Sequence, residues 1–258
     1  MRMNRLFIPF FILLLALAGC RVPLDKELVV RRIVDGDTVE LYNGKMVRYL
    51  GVDTPETRKR AGDRWVYSPE PYAIEAMDYN RKLVLNKKLD LEFDVRETDR
   101  YGRWLAYVRV GEVLVNERLL REGLAWYVEY PPNGREYRER FLSAQQEARD
   151  NSRGIWKDLH AISPHEAGKH SGEFCGVKGR VVNTASHPGV VYLYFGEKGE
   201  GALTAVIHAD NLESFVKQDI SAARSYRGSE VELFGKITDG RYGPEVTLYH
   251  PSQIKIIE

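Results

Sequence analysis

Two acidic segments and one basic segment hold the side chains best suited to chemistry in this chain. Val34-Asp-Gly-Asp-Thr38 sets Asp37 beside a tight turn, and Arg48 leads shortly into Asp53-Thr-Pro-Glu56. Thr98-Asp-Arg-Tyr-Gly-Arg103 follows much later. Two carboxylates can hold a hard divalent cation, a third can handle the proton of a water, and two guanidiniums can clamp a phosphate. An unperturbed Asp titrates at about 3.9, so Asp37 and Asp53 are expected to be ionised. Held at neighbouring strand ends, they repel unless a cation lies between them. Glu56 follows Pro55, whose ring stiffens the backbone and directs what comes next. Arg48 stands among apolar strand residues, where a charge needs a partner. A planar guanidinium fork suits bidentate contact with phosphate oxygens in a way that Lys cannot copy. Hydrolysis of a phosphodiester is the reaction these parts fit. Each residue also has a plainer reading: Asp37 as a turn residue, Glu56 as a solvated loop acid, each Arg as a structural ion pair. Their company in order argues against all three.

The elements that must position them are mostly strands. From Leu28 the chain predicts a meander of about three strands, with Asn43-Gly44 as a two-residue hairpin turn and Lys45 to Val52 returning. Asp37, Arg48 and Asp53 then fall at strand ends. Thr57 to Ser68 is charged and irregular, and reads as a loop. Glu70 to Leu85 and Glu136 to Asp150 have helical periodicity, and Glu117 to Glu122 is a short helix stopped by Gly123. Lys88 to Val95 alternates as a strand, Trp104 to Val110 pairs with Val113 to Val115 around Gly111, and Leu124 to Val128 is a further strand. Residues 28–158 are therefore expected to be an α+β domain, a five-stranded OB-like β-barrel with about three helices. Residues 159–173 read as a linker. Residues 174–258 change to nearly all β, with a helix expected over Phe215 to Arg224, and suggest a second OB-like barrel as an accessory domain.

With 38 basic and 37 acidic side chains, the formal net charge is +1. That balance excludes strong sequence-blind attraction to polyanions, so any nucleic-acid binding must come from local arrangement. Arg58, Lys59, Arg60 and Arg64 form one such local group. His160, His165 and His170 share an even spacing that offers a weak transition-metal signal.

The first 19 residues carry a basic start and an apolar run too short to span a membrane, the pattern of an export signal. Leu17-Ala18-Gly19-Cys20 resembles the lipobox of bacterial lipoproteins. That resemblance implies cleavage before Cys20, a lipid on its sulfur, a tether over residues 20–27, and a membrane-anchored place in the cell envelope outside the cytoplasm. Cys175 would then have no intrachain partner, and no disulfide is expected.

From about Val29 to Trp156 the chain resembles the staphylococcal nuclease, or thermonuclease, family. The resemblance rests on Val34-Asp-Gly-Asp-Thr38, Arg48, Val52-Asp-Thr-Pro-Glu56, Thr98-Asp-Arg-Tyr-Gly-Arg103, Val115-Asn-Glu and Arg153-Gly-Ile-Trp156. It implies Ca²⁺ bound by Asp37, Asp53 and the carbonyl of Thr54. It also implies that Glu56 orients or deprotonates the attacking water, while Arg48 and Arg103 bind the scissile phosphate. Arg100 and Tyr101 are implied substrate contacts, Tyr101 near the terminal phosphate. An aromatic beside the base matches Tyr130 or Tyr127, because Val128-Glu-Tyr-Pro131 departs from the family pattern. The implied substrates are DNA and RNA, cut at the P–O5′ bond to leave 3′-phosphates, and no obligate protein partner is evident. The alternative is a catalytically inactive envelope lipoprotein that binds nucleic acid or peptide. Such relatives usually lose acidic and Arg positions, and none is missing here.

Overall fold

β-branched residues between Val30 and Val47 favour strands, Asp35-Gly36 and Asn43-Gly44 turn the chain back between them, and the site hangs from those turns. The computed structural model describes residues 27–197, 200–216, 225–240 and 243–257. β1 (Val30–Ile33), β2 (Thr38–Leu41) and β3 (Met46–Tyr49) form the antiparallel meander expected. Asn43-Gly44 makes the β2–β3 turn, with Gly44 at φ 82°, a conformation that favours glycine. β4 (Val52–Asp53), β5 (Arg58–Ala61), β6 (Arg64–Tyr67) and α1 (Ala73–Val84) follow, then β7 (Asp90–Thr98), β8 (Trp104–Val110) and β9 (Val113–Leu114). α2 (Val115–Arg121), β10 (Trp126–Tyr127) and α3 (Arg138–Asp150) complete the first domain. Its main sheet runs β1-β2-β3-β8-β7, with β9 paired to β8. Val30, Val39, Val47, Tyr49, Leu119 and Phe141 are buried in one core between that sheet and the helices.

The second domain is a mixed sheet with its own core. β11 (Ala161–Ile162), β12 (Phe174–Arg180), β13 (Asn183–His187), β14 (Val190–Tyr194), β15 (Thr204–His208), α4 (Ala209–Val216), β16 (Glu230–Gly240), β17 (Gly243–Thr247) and β18 (Ile254–Ile256) build it. The strand order is β11-β12-β16-β17-β15-β14-β13, and β18 also pairs with β16. Val177, Leu193, Leu203, Phe215, Val231 and Leu248 fill its centre.

The α+β class holds, and the OB-like barrels expected from the sequence appear as open paths of hydrogen-bonded strands, six strands in the first sheet where five were expected. In the first, β4 is only two residues long and pairs with β10 in a separate ladder, while β7 loses register between Phe93 and Thr98. In the second, the long β16 serves three ladders, pairing with β12 and β18 along its first part and with β17 along its last. Three further expectations are corrected. The supposed linker contributes β11, which runs parallel to β12, and Ala167, which is buried in the second core. A few scattered apolar residues among Gly, His and Ser give too little periodicity to reveal this. The loop after Glu56 is an antiparallel ribbon, β5–β6, whose turn is formed at Gly62. α4 begins at Ala209, ahead of the expected Phe215, and residues 217–224 lie outside the described residues, as do the signal segment and Cys20.

A third cluster joins the two cores. Trp126, Val128, Ala148, Ile155 and Trp156 of the first domain meet Phe234, Phe174 and Tyr249. Phe174 stacks on Trp126 at 4.3 Å between centroids, Phe234 meets Trp156 edge-on at 5.0 Å, and the Arg149 guanidinium covers Phe234 at 4.5 Å. Aromatic pairs contribute about 0.5–1.5 kcal/mol beyond the area they bury. Phe234→Ala should therefore cost about 3 kcal/mol in urea denaturation. A loss below about 1 kcal/mol would mean that this seam adds little to the fold.

Candidate active site

The β1–β2 turn and the β4 strand bring two acidic segments against one arginine. Asp37 is buried, and its Oδ2 accepts from the Thr54 N–H at 3.0 Å and the Thr54 hydroxyl at 3.1 Å. The Thr38 hydroxyl donates to Asp37 Oδ1 at 3.0 Å. The β2–β3 register pairs Thr38 with Arg48, and from there Arg48 reaches both acids. Its Nη1 lies 2.6 Å from Asp37 Oδ2 and its Nη2 lies 2.6 Å from Asp53 Oδ1. Nη1 also donates to the Val52 carbonyl at 2.9 Å. Asp53 is held from its other side by the β4–β10 ladder, where it pairs with Trp126.

Gly36 is required by this closeness. A Cβ there would lie 2.7 Å from Thr54 Oγ1 and 2.8 Å from the Cβ of Ala76. The bare backbone lets Asp35 and Asp37 sit directly beneath Thr54.

Asp35, Asp37, Asp53 and Glu56 share the pocket with Arg48, which crowds acids around one guanidinium. Burial pushes Asp35 well above the usual carboxylate range, and the charge of Asp37 adds to it. Burial raises Asp53 to about 6 despite the opposing pull of Arg48. Burial, then Asp37, raises Glu56 to about 7. For Arg48, burial works against the charge, but Asp37 and Asp53 outweigh it and hold the guanidinium protonated. A divalent cation would relieve such a cluster, and an all-oxygen donor set suits a hard one. Asp37, Asp53 and Thr54 fit that role.

The other residues singled out from the sequence stand around this centre. Arg103 precedes β8, and the parallel β3–β8 register pairs Arg48 with Leu105. Arg103 therefore lies about 7 Å back along the neighbouring strand. Its guanidinium is held by Asp99, Nε to Oδ2 at 2.7 Å. Backbone and side-chain bonds to Arg103, together with the Tyr101 N–H, outweigh desolvation and keep Asp99 below its ordinary value. Arg100 and Tyr101 occupy the exposed β7–β8 turn, where Arg100 Nη2 donates to the Tyr101 hydroxyl at 2.7 Å. Tyr127 is a core residue whose hydroxyl donates to Glu129 Oε2 at 2.7 Å, so Tyr130 is the surface-facing member of that pair. The Tyr130 ring meets Tyr249 of the second domain edge-on at 5.5 Å. Although the residue is half exposed, desolvation of its hydroxyl end and then the charge of Asp53 push that group well above the usual range.

Sequence reasoning missed Asp35, Glu70, Lys236 and Tyr249. Asp35 was visible as the acid two before Asp37 across a glycine. Glu70 stands between Pro69 and Pro71 and was read as a helix start, but it is buried, and its Oε2 accepts the Glu56 N–H at 2.9 Å. Lys236, in Phe234-Gly-Lys-Ile237, is a cation on a mostly buried strand, which signals a partner elsewhere. The evenly spaced histidines do not form the metal group that the structure offers. His170 instead joins Glu173 and Cys175, with ligand atoms within 4.8 Å of one another, a softer set than the oxygens above.

Residues 46–158 match the profile of the family described as staphylococcal nuclease homologue. The chain is 43% identical over 145 residues to the thermonuclease of Staphylococcus hyicus, spanning 55% of this chain and 82% of that protein. It is 47% identical over 131 residues to endonuclease YncB of Bacillus subtilis (strain 168), spanning 48% of this chain and 59% of that protein. Protein ParB of Escherichia coli is 33% identical over 147 residues, or 52% of this chain and 75% of that protein.

Gly36→Ala should displace Thr54 and weaken binding of a hard divalent cation in this pocket by about tenfold or more, as loss of a ligand's support usually does. Calorimetric titration reads this directly, and an unchanged affinity would refute the steric argument.

Proposed function

The chain belongs to the staphylococcal nuclease family, and on that premise we propose that it is a Ca²⁺-dependent endonuclease acting on both DNA and RNA. It cuts the P–O5′ bond and leaves 3′-phosphates. The observation that carries this reading is the meeting of Asp37, Asp53, Thr54 and Glu56 around the Arg48 guanidinium.

Asp37, Asp53 and the Thr54 carbonyl would hold Ca²⁺, which would supply positive charge for the scissile phosphate. Glu56 takes a proton from a water whose oxygen attacks phosphorus. The P–O5′ bond breaks, the 5′ oxygen leaves and takes up a proton from solvent, and phosphate stays on the 3′ side. Arg48 is aimed by its two aspartates, and with Arg103 it stabilises the charge that builds on the phosphoryl oxygens. Asp99 fixes the Arg103 side chain in direction before substrate arrives. Tyr101 and Arg100 meet the terminal phosphate, and Tyr130 faces the base.

The β5–β6 ribbon begins two residues after Glu56 and gives the polymer a place to lie. Its register sets Arg58 against Tyr67 and Arg60 against Trp65, so one face alternates cations and aromatic rings. Trp65 is 68% exposed and Tyr67 is 66% exposed, although burial would be their ordinary fate. Stacking on such rings contributes about 1–3 kcal/mol per base and tolerates any sequence, while Arg meets the backbone. The enzyme works at the cell envelope, exported and tethered through lipid on Cys20, with its second domain packed beside the catalytic one.

Plasmid and RNA should both be degraded with Ca²⁺ and spared with EGTA, and the products should carry 3′-phosphate ends. Glu56→Gln should lower kcat by about 10²–10⁴-fold without unfolding the protein. An equal rate in that variant would overturn the assignment. Trp65→Ala with Tyr67→Ala should raise KM for single-stranded DNA by about tenfold or more while a small chromogenic diester is cut as before. A rise for both substrates would remove the ribbon from the polymer path. Labelled fatty acid should enter the wild-type chain in a bacterial host but not Cys20→Ala, and labelling of both would place the lipid elsewhere.

A further inference from the structure

Glu56 is held in place by a residue that answers to the second domain. Glu70 grips the Glu56 backbone from both sides, its Oε2 accepting the Glu56 N–H and its own N–H donating to the Glu56 carbonyl, each at 2.9 Å. The Glu70 side chain is only 5% exposed, so its charge needs a cation, and Lys236 Nζ lies 3.7 Å from Oε1. Lys236 belongs to β16 of the second domain.

The position of that lysine is fixed by the same seam that fixes Asp53. Lys236 pairs with Phe174 across the β12–β16 ladder. Phe174 stacks on Trp126 at 4.3 Å, and Trp126 pairs with Asp53 across the β4–β10 ladder. One path of two strand pairings and a ring stack therefore connects Lys236 to Asp53, and a second path of an ion pair and a hydrogen bond connects it to Glu56. The ammonium also opposes the upward push on both acids.

We propose that Lys236 is a positioning residue of the hydrolytic site: through Glu70 it sets the Glu56 backbone, so the site is complete only with the second domain docked. This rests on the nuclease reading above. It changes what the second domain is for, from a separate accessory to a part of the catalytic unit.

The test uses the full chain with Lys236→Met, which keeps the stem and removes the charge, beside Lys236→Arg and Glu70→Gln. With single-stranded DNA, Lys236→Met and Glu70→Gln should lower kcat by about tenfold or more at unchanged KM, as small misplacements of a catalytic group do. Lys236→Arg should retain most of the rate. Amide hydrogen exchange at Glu56 should quicken by about tenfold in Lys236→Met, a readout that needs no activity. Unchanged kcat in Lys236→Met would overturn the proposal. Equal losses in Lys236→Met and Lys236→Arg, tracking equal drops in Tm, would mean that the lysine only docks the domains. If Lys236→Met fails to fold, Glu70→Gln decides, and an unchanged rate in it overturns the proposal. An inactive wild type would sink the nuclease reading instead, and Glu56 exchange alone would then judge the lysine.

Discussion

Arg48 touches Asp37 with one guanidinium nitrogen and Asp53 with the other, and its side chain is only 13% exposed. Taking three charges out of water costs several kcal/mol per ion, and only close to ideal geometry recovers it. The first domain supplies that geometry from three directions. The β2–β3 register aims the arginine, Thr54 clamps Asp37, and the β4–β10 ladder fixes Asp53. Arg48 and Lys236 face Asp35, Asp37, Asp53, Glu56 and Glu70, so acids outnumber cations in the pocket. An oxygen-lined, negative, desolvated pocket is a receptor for a small hard cation.

The weakest link in that arrangement is β4. Two residues paired with two others make a marginal ladder in isolation, because few hydrogen bonds offset the ordering of the chain. The rings of Trp126, Phe174, Trp156 and Phe234 thicken it from outside, and two of the four come from the second domain. The seam between domains and the wall of the site are thus the same piece of structure.

The parts of this molecule that were legible in the sequence are local. Asp35-Gly-Asp37, Asn43-Gly44 and Asp53-Thr-Pro-Glu56 specify turns and stiff corners through their own backbone preferences, so Asp37, Arg48, Asp53 and Glu56 could be placed from the chain alone. The helices over residues 73–84 and 138–150 were visible in their periodicity. What escaped depended on partners remote in sequence. Nothing near Glu70 announces that Lys236 will neutralise it, and an alternating strand at Phe93 and Val95 does not reveal that β7 peels away and leaves both exposed. Barrel closure failed for the same reason, since it depends on how far each ladder continues. The acid Asp35 is the one omission that a closer local reading would have caught.

Cys175 lies buried in the second core as a free thiol, and burial raises it to about 11. At neutral pH it is protonated, and a protonated thiol neither attacks a disulfide nor oxidises readily. Among the described residues the chain carries no sulfur cross-link, so packing, hydrogen bonds and ion pairs hold it. Among the described residues, reductant therefore has no sulfur cross-link to break.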